Sequence, residues 1–357
     1  MFKKYTLLFT FLFTLYSFGQ VTDLITNLSY PRGTVIHNNK LYVAESSTGK
    51  VLEYDLSNGN TLDFATSLAV PIAMIKLNNE LLIAENDNFR IAGISLNQST
   101  STTTNFLTIQ DNQPIEPWGL AISEDGNNLF VSETQGRIFK VDLTQTPLNP
   151  QLFWNNTNGT SIDLAIEGND LYVSESENEN NSGGRILKLD TTQINPVAEE
   201  IVIGIDFPIG LEIIGNNLFY TSWTNFNDGN DTISRIDLTQ TNPQPEVVLD
   251  NLVDPAYLTY DNGTLYISQL DRVSSIPSAL LSISENIRNE RSLLYPNPTN
   301  EFLNVSAFEG SWFKIFNSLG QQLEKGLVTF DKLDVSDFPK GIYYFQTEGK
   351  TSPFIVN

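Results

Sequence analysis

One five-residue phrase, "LYVAE" at 41–45, returns as "LLIAE" at 81–85, "LFVSE" at 129–133 and "LYVSE" at 171–175. Aligning the copies extends the repeat on both sides. A proline and a short apolar run precede the phrase, and a loop, a Gly-Arg or Gly-Lys pair and another apolar run follow it, as in "PWGLAISEDGNNLFVSETQGRIFKVDL". The divergent copies "PIGLEIIGNNLFYTSWTNFNDGNDTISRIDL" and "PAYLTYDNGTLYISQLDRVSSIPSALLSI" bring the number to six. Their equivalent first residues are Pro31, Pro71, Pro117, Ser161, Pro208 and Pro255, a period of about 40 to 47 residues.

Within a copy the apolar runs are short, rich in Val, Ile, Leu and Tyr, and separated by turns such as "HNN", "DGNN" and "DNG". Two hairpin strands, a third after the loop and a fourth before the next proline make four strands per repeat, the content of a propeller blade. A β-solenoid shares such a period but needs terminal caps, which the sequence lacks. The sixth copy has no fourth strand before the composition changes near Ser284, and "VTDLITNLSYP" at 21–31 resembles the fourth-strand pieces elsewhere. Residues 21–29 are therefore expected to complete the sixth blade and leave no edge open. The expected fold class is all-β: a six-bladed β-propeller at 21–285, a linker at 286–292, and a small Ig-like antiparallel β-sandwich at 293–357.

Composition narrows the partners. Twenty basic against 42 acidic residues give a net charge of −22, which repels nucleic acid and anionic membranes. Residues 1–20 carry Lys3 and Lys4, an apolar run too short to span a bilayer, and small residues at "SFGQ"; this reads as a signal peptide. No later segment reads as transmembrane. There is no cysteine, so neither disulfides nor thiolate chemistry enter. The one histidine, His37, falls in a hairpin turn, which argues against a Ser-His-Asp triad or a histidine-bound zinc.

The phrase ends on Glu45, Glu85, Glu133 and Glu175, each facing a basic residue at the start of the third strand: Lys50, Arg90, Arg137 and Arg185. Either the carboxylates hold turn amides and those cations, or they form a ring of oxygen ligands for calcium. The places where the repeat breaks are more informative. Two residues after each blade's first position stand Gly33, Ala73, Gly119, Asp163, Gly210 and Tyr257; two further on, Val35, Ile75, Ala121, Ala165, Glu212 and Thr259. Asp163, Glu212 and Tyr257 thus come from adjacent blades and are expected on one side of the axial channel, with Arg32 and Trp118 at its mouth. These five are the candidate ligand-binding residues, and Asp163 and Glu212 the candidate metal ligands. The loops "ESENENNSGG" and "SWTNFNDGNDT", with Trp223 and Phe226, are expected on the same face as the glutamates.

The blade phrase resembles six-bladed propellers of the group that includes NHL-repeat proteins and SMP-30, gluconolactonase-like hydrolases. That resemblance implies, as an alternative to a binding module, a calcium-dependent hydrolase; the sequence departs from it where "SYPRGTV" places arginine at the opening of the first inner strand. In the tail, "YPNP" with Pro296, Asn297 and Pro298, the "FKIFNSLGQ" hairpin with Gly320, and "FPKGIYYF" with Gly341 are similar to the type A C-terminal sorting domain of Bacteroidota type IX secretion. The resemblance implies passage through the periplasm, engagement of the secretion machinery, and release or surface attachment. The leading reading is a secreted or surface-held binding module for an extracellular protein or carbohydrate, with no catalysis.

Overall fold

The computed structural model describes residues 21–97, 102–110, 114–155, 159–176, 183–224, 231–278, 281, 294, 298–305, 308, 310–317, 321–329, 331–347 and 350–356. The signal-peptide and linker segments, Pro296, Asn297, Gly320, Phe226 and most of the two long loops lie outside the described residues.

Hydrogen-bonded pairing divides residues 22–277 into six four-stranded antiparallel sheets. The first is Pro31–His37, Lys40–Glu45, Lys50–Asp55 and Thr61–Ala65, in that order from the inside outward. The innermost strands of the other five are Pro71–Leu77, Pro117–Ile122, Thr160–Glu167, Pro208–Ile214 and Leu258–Asp261. The sixth sheet takes its outer strand from the other end of the chain: Thr22–Thr26 pairs with Arg272–Pro277. This is a six-bladed propeller whose last blade is built from both ends of the ring. Thr22–Thr26 is held by Ile25, buried among Leu41, Val43 and Val273, and by Asp23, which bonds Ser274 Oγ at 2.6 Å and Arg272 at 2.8 Å.

The hairpin turns explain the Asn-rich punctuation. Asn38 and Asn39 take φ of 49° and 61°, the left-handed pair required by a tight turn whose twist matches its strands. His37 ends the strand there and faces Asn38 rather than the channel.

Five innermost strands share an irregularity just after their first residue, at Pro31/Thr34, Pro71/Met74, Pro117/Leu120, Ser161/Leu164 and Pro208/Leu211. A bulge leaves a backbone amide outside the ladder, and a buried unpaired amide is costly. The fourth residue of the repeated phrase meets that need. Ser132, Ser174 and Thr221 accept the amides of Gly119, Asp163 and Gly210, and each donates to a carbonyl of the next blade, Ile162, Ile209 and Ala256. One hydroxyl thus repairs a bulge and ties two blades, worth about 1 kcal/mol net per bond and more if a partner is stranded. Blades one and two carry Ala44 and Ala84 instead. At Gly119 and Gly210 the next blade comes so close that a Cβ would lie 2.5 Å and 2.2 Å from those carbonyl oxygens.

Residues 283–357 form a separate compact unit. Its described strands are Phe302–Asn304 with Lys332–Asp334, and a sheet ordered Gln322–Leu327, Trp312–Asn317, Gly341–Thr347, Lys350–Val356. Alternation places Phe313, Ile315, Tyr343 and Phe345 in its core, with the Phe313 and Phe345 rings stacked at 5.2 Å. Gly341 opens its strand, while Pro298 is exposed beside Thr299, whose amide bonds Ile355. No helix among the described residues is long and apolar enough to cross a membrane.

Candidate functional site

The six innermost strands enclose an axial cavity of about 360 Å³. Val35, Ile75 and Ala121 line it on blades one to three, together with Thr34 and Lys76, while Asp163, Glu212 and Tyr257 line it on blades four to six. The polarity follows from how propeller blades meet. Inner strands of neighbouring blades do not pair with each other, so their channel-side amides need other partners.

Asp163 Oδ2 accepts the amide of Leu211 in the next blade at 2.9 Å. Glu212 lies near the Tyr260 amide, one blade further on, which draws its pKa down. Thr259 closes the last seam, donating to the Thr34 carbonyl at 2.8 Å and meeting the Thr34 hydroxyl at 2.7 Å. Burial pushes the Asp163 carboxyl up to about 7, against the pull of the Leu211 and Leu164 amides. Burial likewise raises Glu212 to about 8; the Tyr260 amide opposes this and the Asp163 charge adds to it. Glu212 keeps part of its surface towards the cavity, whereas Asp163 is 6% exposed. Around neutral pH the pair therefore holds one to two protons and offers hydrogen-bond donors as well as acceptors.

Tyr257 lines the same cavity and is 5% exposed, and its hydroxyl has no hydrogen-bond partner among the described residues. Burial drives its pKa far above the usual value; the Asp163 charge adds to this, while Arg32 and the Trp118 indole work against it. Trp118 is half-buried, but its Nε1 is fully enclosed and has no hydrogen-bond partner among the described residues. Arg32 does not line the cavity. Its guanidinium lies over the rings of Tyr30 and Trp223, at 5.8 and 5.5 Å. Trp223 is anchored by Nε1 to the Pro255 carbonyl at 2.7 Å and stacks on Phe207. The sequence-derived five thus divide: Asp163, Glu212 and Tyr257 face the cavity, and Arg32 and Trp118 sit at its loop-face end.

The repeated glutamates are elsewhere. All four are buried; Glu45 and Glu85 tie interblade loops to their blades, and Glu133 and Glu175 hold arginines of their own blades. Glu45 accepts the Ser29 amide and Glu85 the Ala69 amide, both at 2.9 Å. Arg90 pairs with Glu85, Arg185 with Glu175, and Arg137 with Glu133 at 2.7 Å, whereas Lys50 reaches Asp63. In blade six Gln269 takes the same place and accepts the Val253 amide. Among the described residues, no three Asp, Glu, His or Cys side chains gather closely enough to hold a metal ion.

Two repeated devices carry little sequence signal. One is the Ser/Thr seam bond, which reads as mere variation of alanine in the phrase. The other is a capped turn after the third strand: Asp55, Asp142, Asp190 and Asp237 each accept the amide and hydroxyl of the residue two on, which holds their pKa values below the usual carboxylate range.

Residues 293–356 match the family of secretion system C-terminal sorting domains. No curated protein matches the chain in sequence. Solved structures do match in shape. A luciferin-regenerating enzyme aligns over 72% of this chain and 95% of its own at 10% identity, with a TM-score of 0.56. Regucalcin, a calcium-binding protein from Agrobacterium tumefaciens str. C58, aligns over 72% and 93% at 14% identity and a TM-score of 0.52. A chain of a nidogen/laminin complex aligns over 62% and 82% at 15% identity and a TM-score of 0.50. An enzyme, a calcium binder and a protein complex share this shape, so at such identities the likeness is one of fold alone. The chain joins a six-bladed β-propeller to a C-terminal sorting domain of the type IX secretion kind.

Proposed function

We propose that this protein is an exported binding module, delivered by its sorting domain to the cell surface or medium, whose axial pocket receives a small polar ligand. One observation carries the reading: a cavity of about 360 Å³ whose wall combines apolar side chains with Asp163, Glu212, Thr34, Thr259 and a Tyr257 hydroxyl unpaired among the described residues. A pocket of that volume with few convergent polar groups suits recognition of one small molecule. The test is a thermal-shift panel of sugars, sugar acids and amino acids on wild type and Ala165→Phe, which puts a ring into the cavity wall. At least one compound class should raise the wild-type melt and fail to raise that of the filled variant. A panel without effect, or with equal effects on both proteins, would sink the pocket reading.

A calcium-dependent hydrolase is the other reading, and it would rest on Asp163 and Glu212. A melt raised by calcium in wild type but not in Asp163→Asn would favour it.

Export rests on the tail. Removing residues 283–357 is expected to leave the propeller folded and strand it in the periplasm, because the two units have separate cores. Cell fractionation decides this. Recovery of the truncated chain at the surface or in the medium at full yield would remove the sorting role.

A further inference from the structure

The residue following each blade's first position sits at the loop-face end of the channel. In blade order these are Arg32, Ile72, Trp118, Ile162, Ile209 and Ala256. Four are apolar and close that end, with Ile162 and Ile209 packed on Trp118 and Trp223. The other two bring only hydrogen-bond donors, since neither guanidinium nor indole can accept.

Those donors are unspent. Among the described residues every other arginine pairs with a carboxylate: Arg90, Arg137, Arg185, Arg235 and Arg272. Arg32 makes no salt bridge and no hydrogen bond. Its guanidinium lies over the rings of Tyr30 and Trp223, which hold its orientation without using its N–H groups. Beside it are the enclosed Trp118 Nε1 and the Tyr257 hydroxyl, both without partners. Two groups that can only donate, set beside a hydroxyl that bonds neither of them, are expensive to bury, because each unmet group loses its hydration without return.

The nearby carboxylates do not settle the account. Asp163 spends Oδ2 on the Leu211 amide, and Asp254 acts on Arg32 only through its charge, with no salt bridge between them. Their charge does set a limit on what can bind: beside these carboxyls one guanidinium tolerates a singly charged oxyanion better than a doubly charged one.

We propose that the loop-face end of the channel is an oxyanion site, in which Arg32, Trp118 and Tyr257 together donate to one carboxylate or phosphate group of a small ligand. A carboxylate is the better match, because it presents two acceptor oxygens in the plane of the guanidinium edge and carries one charge. The site shares Tyr257 with the axial pocket, whereas Arg32 and Trp118 lie outside that pocket's lining, so Arg32→Met tests the oxyanion site apart from the pocket.

Trp118 and Trp223 report on it directly by fluorescence. The mature full-length protein is titrated with sodium acetate, and separately with inorganic phosphate, against sodium chloride at constant ionic strength. Wild type should give a saturable change with acetate and a weaker one with phosphate. Arg32→Met should lose it, and Tyr257→Phe, which removes only a hydroxyl, should weaken it about tenfold. Lys50→Met, which deletes a surface cation, should titrate as wild type. Saturation by phosphate alone, still lost in Arg32→Met, would keep the site and make phosphate its form. A response that is linear in salt, or unchanged in both Arg32→Met and Tyr257→Phe, would overturn the proposal. Should Arg32→Met not fold, Tyr257→Phe still decides.

Discussion

Deletion of Thr22–Thr26 is expected to lower the melting temperature of the propeller by about 10–20 °C. The strand forms the outer edge of the sixth blade, paired with Arg272–Pro277. Removing it exposes the apolar surface around Ile25, Leu41, Val43 and Val273, leaves Ser274 without Asp23, and opens a row of backbone groups to solvent. Losing one buried isoleucine, the partial burial of Leu24 and several ladder bonds comes to about 4–6 kcal/mol. Differential scanning calorimetry of the deleted and intact chains measures it. An unchanged melt would mean that the ring does not rely on that seam. A peptide of residues 21–29 added in trans should restore part of the loss if strand pairing is the cause.

The second large effect is on pH. Raising the pH from 5.5 to 8.5 is expected to lower the stability of wild type. Asp163 and Glu212 have folded-state pKa values of about 7 and about 8, above their unfolded values of 3.8 and 4.5. Between those limits the folded state holds protons that the unfolded state has released. Stability is therefore full below about pH 4 and is lost as pH rises, until both carboxyls are ionised in the folded state. Each group in its window contributes at most about 1.4 kcal/mol per pH unit, less for Glu212, which solvent in the cavity screens. Buried Asp231, also raised, acts in the same direction. The capped-turn carboxylates of Asp55, Asp125, Asp142, Asp190 and Asp237 act oppositely. Their contribution is present above pH 4 and is lost in acid as pH falls through their lowered folded values. His37, lowered by burial and by Lys76, favours folding slightly as pH rises. The melt should thus peak in mildly acidic solution and fall across 5.5 to 8.5. The double variant Asp163→Asn, Glu212→Gln keeps an acceptor for each amide and should flatten that fall. A wild-type melt that stays level or climbs over the range would show that the channel carboxyls ionise freely.

These two predictions draw on different kinds of information. The blades were legible because their determinants are local: a proline, an alternating apolar run, an Asn- or Gly-rich turn and a capped third strand all lie within some 45 residues, and the pattern recurs six times. The sorting domain was legible for the same reason, its strands being joined by short turns in chain order. The channel candidates were found as exceptions to the repeat, since a position that is Gly or Ala in most blades stands out when it is Asp163 or Tyr257.

What each exception does was not legible. Asp163 meets Leu211 48 residues away, and Thr259 meets Thr34 across 225. Nothing near Asp163 in the chain says that its carboxylate is spent on a neighbouring blade's amide, and nothing near Arg32 says that it lacks a carboxylate while Arg90, with the same charge, has Glu85. By itself the sequence determined the repeat, the all-β class, the six blades and the sorting tail, because strand and turn propensities act over a few residues. Only the tertiary structure decided which polar groups seal the seams and which stay unpaired, because hydrogen bonding requires atoms within about 3 Å and that proximity exists only once the ring has closed.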